Sequence, residues 1–154
     1  MAKGQLIAEG AYQYTNGNAP IGRETWEISQ LGHGGIIVTS RAEFTAPQPH
    51  SWTFTFELSR AWSPLQLTIR SERDGAPLIS NQRVEGERWI AEVEGAGAER
   101  ANFELPFSDQ HEVDFASPLF NTITLLRVAP QQNQLREFDV IFIDPESLAP
   151  LADR

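Results

Sequence analysis

The 154-residue sequence contains no cysteine, which excludes a disulfide framework, a zinc–thiolate site, an iron–sulfur cluster and a cysteine nucleophile. The redox state of its compartment is therefore unconstrained. Basic residues are scarce: twelve Lys and Arg against twenty-one Asp and Glu leave a net charge of −9. That balance repels polyanions and withholds the electrostatic attraction that dominates nucleic-acid binding, so DNA, RNA and anionic membrane surfaces are not expected partners. Long apolar runs are missing as well. No uninterrupted stretch approaches the roughly 20 residues a membrane helix needs, and no stable membrane insertion is expected. The N-terminal segment has no apolar run of signal-peptide length before Glu9, which leads to the expectation of a soluble, cytoplasmic protein. The three histidines, His33, His50 and His111, are widely spaced and form no H-x-H or H-E-x-x-H pattern, so no metal site is expected. Phosphate-loop, dinucleotide and G-x-S-x-G signatures are also absent, and no cofactor is expected.

What remains is an ordinary globular composition, 40% apolar and 21% charged, which argues against disorder and for one domain over residues 1–154. The patterning has a period of two. Trp52, Phe54, Phe56 and Leu58 alternate with Ser51, Thr53, Thr55 and Glu57, which marks a strand with one dry and one wet face. Glu24, Trp26 and Ile28 share a face in the same way, as do Leu65, Leu67 and Ile69, and Trp89, Ala91 and Val93. Turn signals such as Asn16-Gly17, Asp74-Gly75 and Glu85-Gly86 punctuate these runs, about every 8–12 residues, the spacing of an antiparallel sandwich, barrel or rolled sheet. About ten strands are expected on this rule, among them an apolar strand over Thr122–Val128 and a doubly covered central strand in 135–143. Helical periodicity is not sustained in any window. Two short helical turns are expected, one with Ser117 as cap and Pro118 at its first position, the other with Asp144 before Pro145. The fold class is thus all-β, a long, curved antiparallel sheet.

Functional candidates fall in two groups. Aromatic faces can line an apolar cavity, and Trp26, Phe54, Phe56 and Trp89 lie on strand faces expected to be dry. Arg127 sits between Leu126 and Val128 in an apolar context, so it either faces solvent or is buried beside a carboxylate, for which Asp114 is the expected partner. Asp109, Glu112 and Asp114 crowd together before Ser117-Pro118; they can be solvated loop charges, or an acid–base pair of a hydrolase.

The block Asp114, Ser117-Pro118, Phe120, Asn121-Thr122 and Arg127, with Glu137–Ile143 behind it and Gly86-Glu87-Arg88-Trp89 before it, resembles the bacterial putative glycolipid-binding family. The resemblance covers about the last half of the chain. It departs from the family pattern at Leu126-Arg127, where the family has paired arginines. It implies a spiral β-roll and a non-catalytic binder of a lipid or glycolipid-like amphiphile. On that reading Trp26, Phe54, Phe56 and Trp89 line the concavity, Phe120 is a further ligand-binding residue, Asn121, Thr122 and Arg127 form the polar end, and Asp114, Ser117, Pro118 and Arg127 act as a structural clasp. Two alternatives stand beside it: a fully packed interaction module, as a homodimer through a free sheet edge, and a hydrolase using the Asp109 to Asp114 carboxylates.

Overall fold

A computed structural model describes residues 4–95, 100–131 and 136–152. Eight strands follow one another as an antiparallel meander, each paired with its sequence neighbour: β1 (Gln5–Asn16), β2 (Ala19–Gln30), β3 (Ile36–Phe44), β4 (His50–Leu58), β5 (Pro64–Arg73), β6 (Ala76–Glu85), β7 (Arg88–Gly95) and β8 (Ala101–Pro106). The sheet is all-β, curved and not closed into a barrel. Its turns follow the signals in the sequence. Between β5 and β6, Asp74 and Gly75 both take positive φ, 52° and 76°, the two-residue geometry whose twist matches the strands it joins.

A second, three-stranded sheet follows, ordered β11 (Pro150–Ala152), β10 (Asp139–Ile143), β9 (His111–Asp114). β9 and β10 are parallel, so the chain must cross over between them. The crossover carries helix α1 (Leu119–Val128) and a 3-10 turn at Ala129–Gln131. Here the expectation of a Thr122–Val128 strand is corrected. Leu119, Phe120, Ile123 and Arg127 are the buried residues of α1, and their spacing is that of one helical face. The β-branched Thr122, Ile123 and Thr124 bias the segment toward a strand, but Ser117-Pro118 starts a helix and burial of that face keeps it one. The β10 strand also differs from expectation. It is central in its sheet, yet only Ile141 and Ile143 are buried, and Phe142 on the other face is 39% exposed. Pro106 ends β8 as expected. Residues 132–135, where a turn and the start of the last core strand were expected, lie outside the described residues.

The concave face of the large sheet and the inner face of the small one share a single core. Phe120 of α1 lies 5.1 Å from the Phe54 ring and 5.3 Å from Phe56, and Phe115 sits 5.2 Å from Trp52. The space that the sequence reading leaves for a ligand is therefore filled by side chains of this chain. Among the described residues no helix is long and apolar enough to cross a membrane.

Candidate functional site

Two buried polar constellations hold α1, one at its start to the roll and the other at its end to the small sheet. The first is centred on Glu24, which β2 places on the inner face with no accessible surface. Its carboxylate accepts hydrogen bonds from Tyr14 Oη (2.6 Å), from Ser117 Oγ (2.7 and 2.9 Å) and from Ser40 Oγ. Ser117 Oγ in turn accepts the Leu119 N–H at 3.2 Å, so one hydroxyl both caps α1 and anchors it to β2. Burial and the neighbouring Glu24 carboxylate push the Tyr14 hydroxyl pKa well above the usual tyrosine range.

The second constellation is the ion pair of Arg127 with Glu112. Arg127 also donates to the carbonyls of His111 (2.7 Å) and Asp109 (2.8 Å), and Thr124 Oγ1 donates to the other Glu112 oxygen at 2.8 Å. Burial, followed by the nearby Arg136 charge, pushes the Arg127 pKa down to about 10. The expected Asp114–Arg127 pair is thus corrected to Glu112–Arg127. The reason is direction: α1 returns along β9, so its last turn meets the start of that strand and not its end. Asp114, at the far end of β9, accepts the Phe115 N–H at 2.9 Å, and burial raises its pKa. A raised carboxyl pKa means that the folded state binds the proton better, so ionisation of Asp114 weakens the fold as pH rises from the ordinary carboxylate range. Asp114→Asn keeps the acceptor without the charge. It should leave stability at pH 7 unchanged or raise it by roughly 0.5 kcal/mol, and should flatten that pH dependence in urea titrations. A loss of several kcal/mol would restore Asp114 as the partner of Arg127.

The remaining candidates divide between interior and surface. Phe54, Phe56, Trp89 and Phe120 are buried. Trp89 donates its indole N–H to Gln82 at 2.7 Å, and Gln82 donates to Ser80 Oγ and the Leu148 carbonyl. That closed network occupies Trp89 structurally. Trp26 is half-buried, its indole packed over Gly10, where a Cβ would come within 2.5 Å of the ring. Asn121 is exposed and Thr122 half-buried, both in the first turn of α1. Pro118 has helical backbone angles immediately before Leu119.

An open groove lies elsewhere, along one rim of the roll, and sequence reasoning did not find it. One part is a cleft of about 570 Å³ whose lining includes Arg60, Trp62, Asp109, Leu126, Arg127 and Arg136. The other is a trough of about 710 Å³ lined by Pro64, Leu65, Val84, Pro106 and Phe107 among others. The two share Ser63 and Asp109. The β4–β5 turn that builds the junction is held by Ser59, whose hydroxyl accepts the N–H groups of Ala61 and Ser63, both at 3.2 Å. Trp62 within it has φ 66°, a left-handed conformation that is strained for a bulky side chain. Arg60 crosses to the β2–β3 turn and donates to the His33 carbonyl at 2.9 Å. Gly34 makes room for it, since a Cβ there would meet the guanidinium at 2.5 Å. The signals were Ala61-Trp62-Ser63-Pro64 and Gly32-His33-Gly34-Gly35, which read as turns; only the fold brings them together. A further open depression is lined by Trp26, Gly10 and Ala11 together with polar side chains such as Arg23, Thr25, Glu27 and Arg41.

The carboxylates of the hydrolase reading are not brought together at a cleft. Asp109 lines both parts of the groove, whereas Glu112 and Asp114 line neither and are engaged as described.

A family profile described as Putative glycolipid-binding matches residues 20–154. Neither a curated protein nor a solved structure shows significant similarity to the sequence.

Proposed function

The chain belongs to the putative glycolipid-binding family, and on that premise we propose that it is a non-catalytic carrier of a glycolipid-like amphiphile, held in the rim groove. The carrying observation is that a trough with apolar side chains along it adjoins a cleft of charged and aromatic groups at Ser63 and Asp109. An amphiphile needs both surfaces side by side. Its tail would lie against Pro64, Leu65, Val84 and Pro106, with affinity from apolar burial. Its head would meet Arg60, Trp62, Asp109 and Arg136. This arrangement asks nothing of the filled interior. A ligand in the concavity beside Trp26, Phe54, Phe56 and Trp89 would first have to displace α1.

Titration calorimetry with dodecyl glucoside, below its micelle concentration, tests the reading. Binding with a negative heat-capacity change is expected, and Leu65→Asp, an exposed position, should weaken it about tenfold by placing a charge in the tail's path. Hydrogen exchange of the α1 amides should stay slow in the complex. Absence of binding, or binding accompanied by loss of α1 protection, would defeat the groove assignment.

A second reading has one observation behind it. The outer edge of β1 pairs with no described strand, and Leu6 and Ile7 near its start are 48% and 47% exposed. Such an edge can pair with a second copy of the chain. Sedimentation equilibrium separates the two, since the carrier reading works as a monomer and the edge reading requires a dimer.

A further inference from the structure

We propose that the cleft end of the groove selects amphiphiles whose head group carries a negative charge, such as a uronic acid or a phosphate or sulfate ester. The inference rests on the groove reading above and adds the chemistry of the head. In a chain of net charge −9, three arginines line this cleft, Arg60, Arg127 and Arg136. Among the described residues two carboxylates are placed to balance them. Glu112 lies beneath and is fully engaged by Arg127 and Thr124, and Asp109 lines the cleft. One positive charge is left over. Among the described residues neither Arg60 nor Arg136 has a carboxylate within salt-bridge distance.

Both arginines are held by contacts that leave donors unused. Arg60 spends one N–H group on the His33 carbonyl, and a guanidinium carries five. Arg136 lies 4.6 Å over the Phe138 ring, and its nearest described hydrogen-bond acceptor is the Asp109 carbonyl at 3.4 Å. A guanidinium stacked on an aromatic face has its planar edge free for an oxyanion. Arg127 already lies 4.8 Å from the same ring, and the Arg136 charge is one of the causes that push its pKa down. An anion between Arg136 and Arg60 would relieve that repulsion, which a neutral head group cannot do. Asp109 opposes the anion, and also supplies an acceptor for hydroxyl groups on a sugar. A head with one negative charge and several hydroxyls matches the set.

The test compares three amphiphiles with the same dodecyl tail and different heads: neutral glucose, glucuronate and phosphate. Binding to wild type at low ionic strength should be about tenfold tighter for the two anionic heads, and the advantage should shrink toward onefold in 0.5 M salt as exposed charges are screened. Arg60→Gln with Arg136→Gln should abolish the advantage, bringing both anionic heads to the affinity that the glucoside has for the same variant. Asp109→Asn should increase it about threefold. Equal affinity for all three heads overturns charge selection and leaves the groove reading intact; failure of all three to bind defeats the groove reading itself. Tail-less glucuronate and inorganic phosphate form the last arm. If either binds as tightly as its dodecyl counterpart, the cleft is a site for a free anion and not for a lipid head. The salt dependence of wild type carries the test even where a variant fails to fold, which melting curves check.

Discussion

Replacing Arg127 with leucine should cost about 3–5 kcal/mol of stability, read from urea unfolding at neutral pH. The Arg127 and Glu112 side chains are 2% and 5% exposed, so the variant leaves a carboxylate in the interior with no cation beside it. The His111 and Asp109 carbonyls lose the Arg127 donor in the same step, Asp109 keeping only the longer contact from Arg136 at 3.4 Å, and a carbonyl left unsatisfied costs roughly 1–3 kcal/mol. Arg127→Lys should recover only part, because an ammonium cannot span three acceptors in fork geometry. The Arg127→Leu, Glu112→Leu double variant should be markedly more stable than Arg127→Leu alone, since the buried charge goes too. If the double variant is no better than the single one, the ion pair is not what makes Arg127 indispensable. An intact fold with weaker amphiphile binding would instead make Arg127 a contact of the head group.

The sheet was legible from the sequence because its signal is local. In β4 the alternation of Trp52, Phe54, Phe56 and Leu58 with polar residues gives both the strand and its inner face, and all four are buried. Asp74-Gly75 and Glu85-Gly86 fix the hairpins by backbone chemistry that needs no tertiary context. Glu24 was legible in part. It reads as a carboxylate on the dry face of β2, which by itself demands donors, but nothing in the sequence names Tyr14, Ser40 and Ser117 as their source.

The crossover was misread because ten residues can satisfy both periods. Thr122, Ile123 and Thr124 favour a strand on propensity, whereas Phe120, Ile123 and Arg127 form a helical stripe, and burial against Phe54 and Phe56 decides the matter. That one error carried two others with it. A helix returns along β9 and so gives Arg127 to Glu112 and not to Asp114, and its Phe120 fills the concavity that a strand would have left open. Of the rim groove, the sequence singled out only Arg127 and Asp109, and not the groove itself. Arg60, Asp109 and Arg136 are distant in sequence and belong to three separate turns or linkers, each with the composition of any solvated loop.

Replacing Glu24 with alanine should cost about 3 kcal/mol and loosen α1 before the sheet. Three hydroxyls, on Tyr14, Ser40 and Ser117, point at this carboxylate, and none has a carbonyl alternative among its described hydrogen bonds. Removing the acceptor strands them in the interior at roughly 1–3 kcal/mol each. The relief of no longer burying a charge without a cation offsets part of that sum, so the net is smaller than the sum of three bonds. Glu24→Gln preserves the shape and should cost only about 1 kcal/mol, because the hydroxyls can rotate to accept from the amide. Ser117 is the member that reaches α1, and it supplies the helix cap as well. Amide exchange in Leu119–Val128 should therefore accelerate in Glu24→Ala while β4 and β5 amides remain protected. The Tyr14 hydroxyl gives an independent check through pH. Its pKa is raised in the fold by burial first and Glu24 second, so the unfolded chain releases this proton near the ordinary value of about 10 while the folded chain holds it. Wild-type stability must then fall as pH rises above that point. In Glu24→Ala the fall should be shallower but not absent, since burial remains. An unchanged slope, together with unchanged α1 exchange, would show that Glu24 does not tie the helix to the sheet.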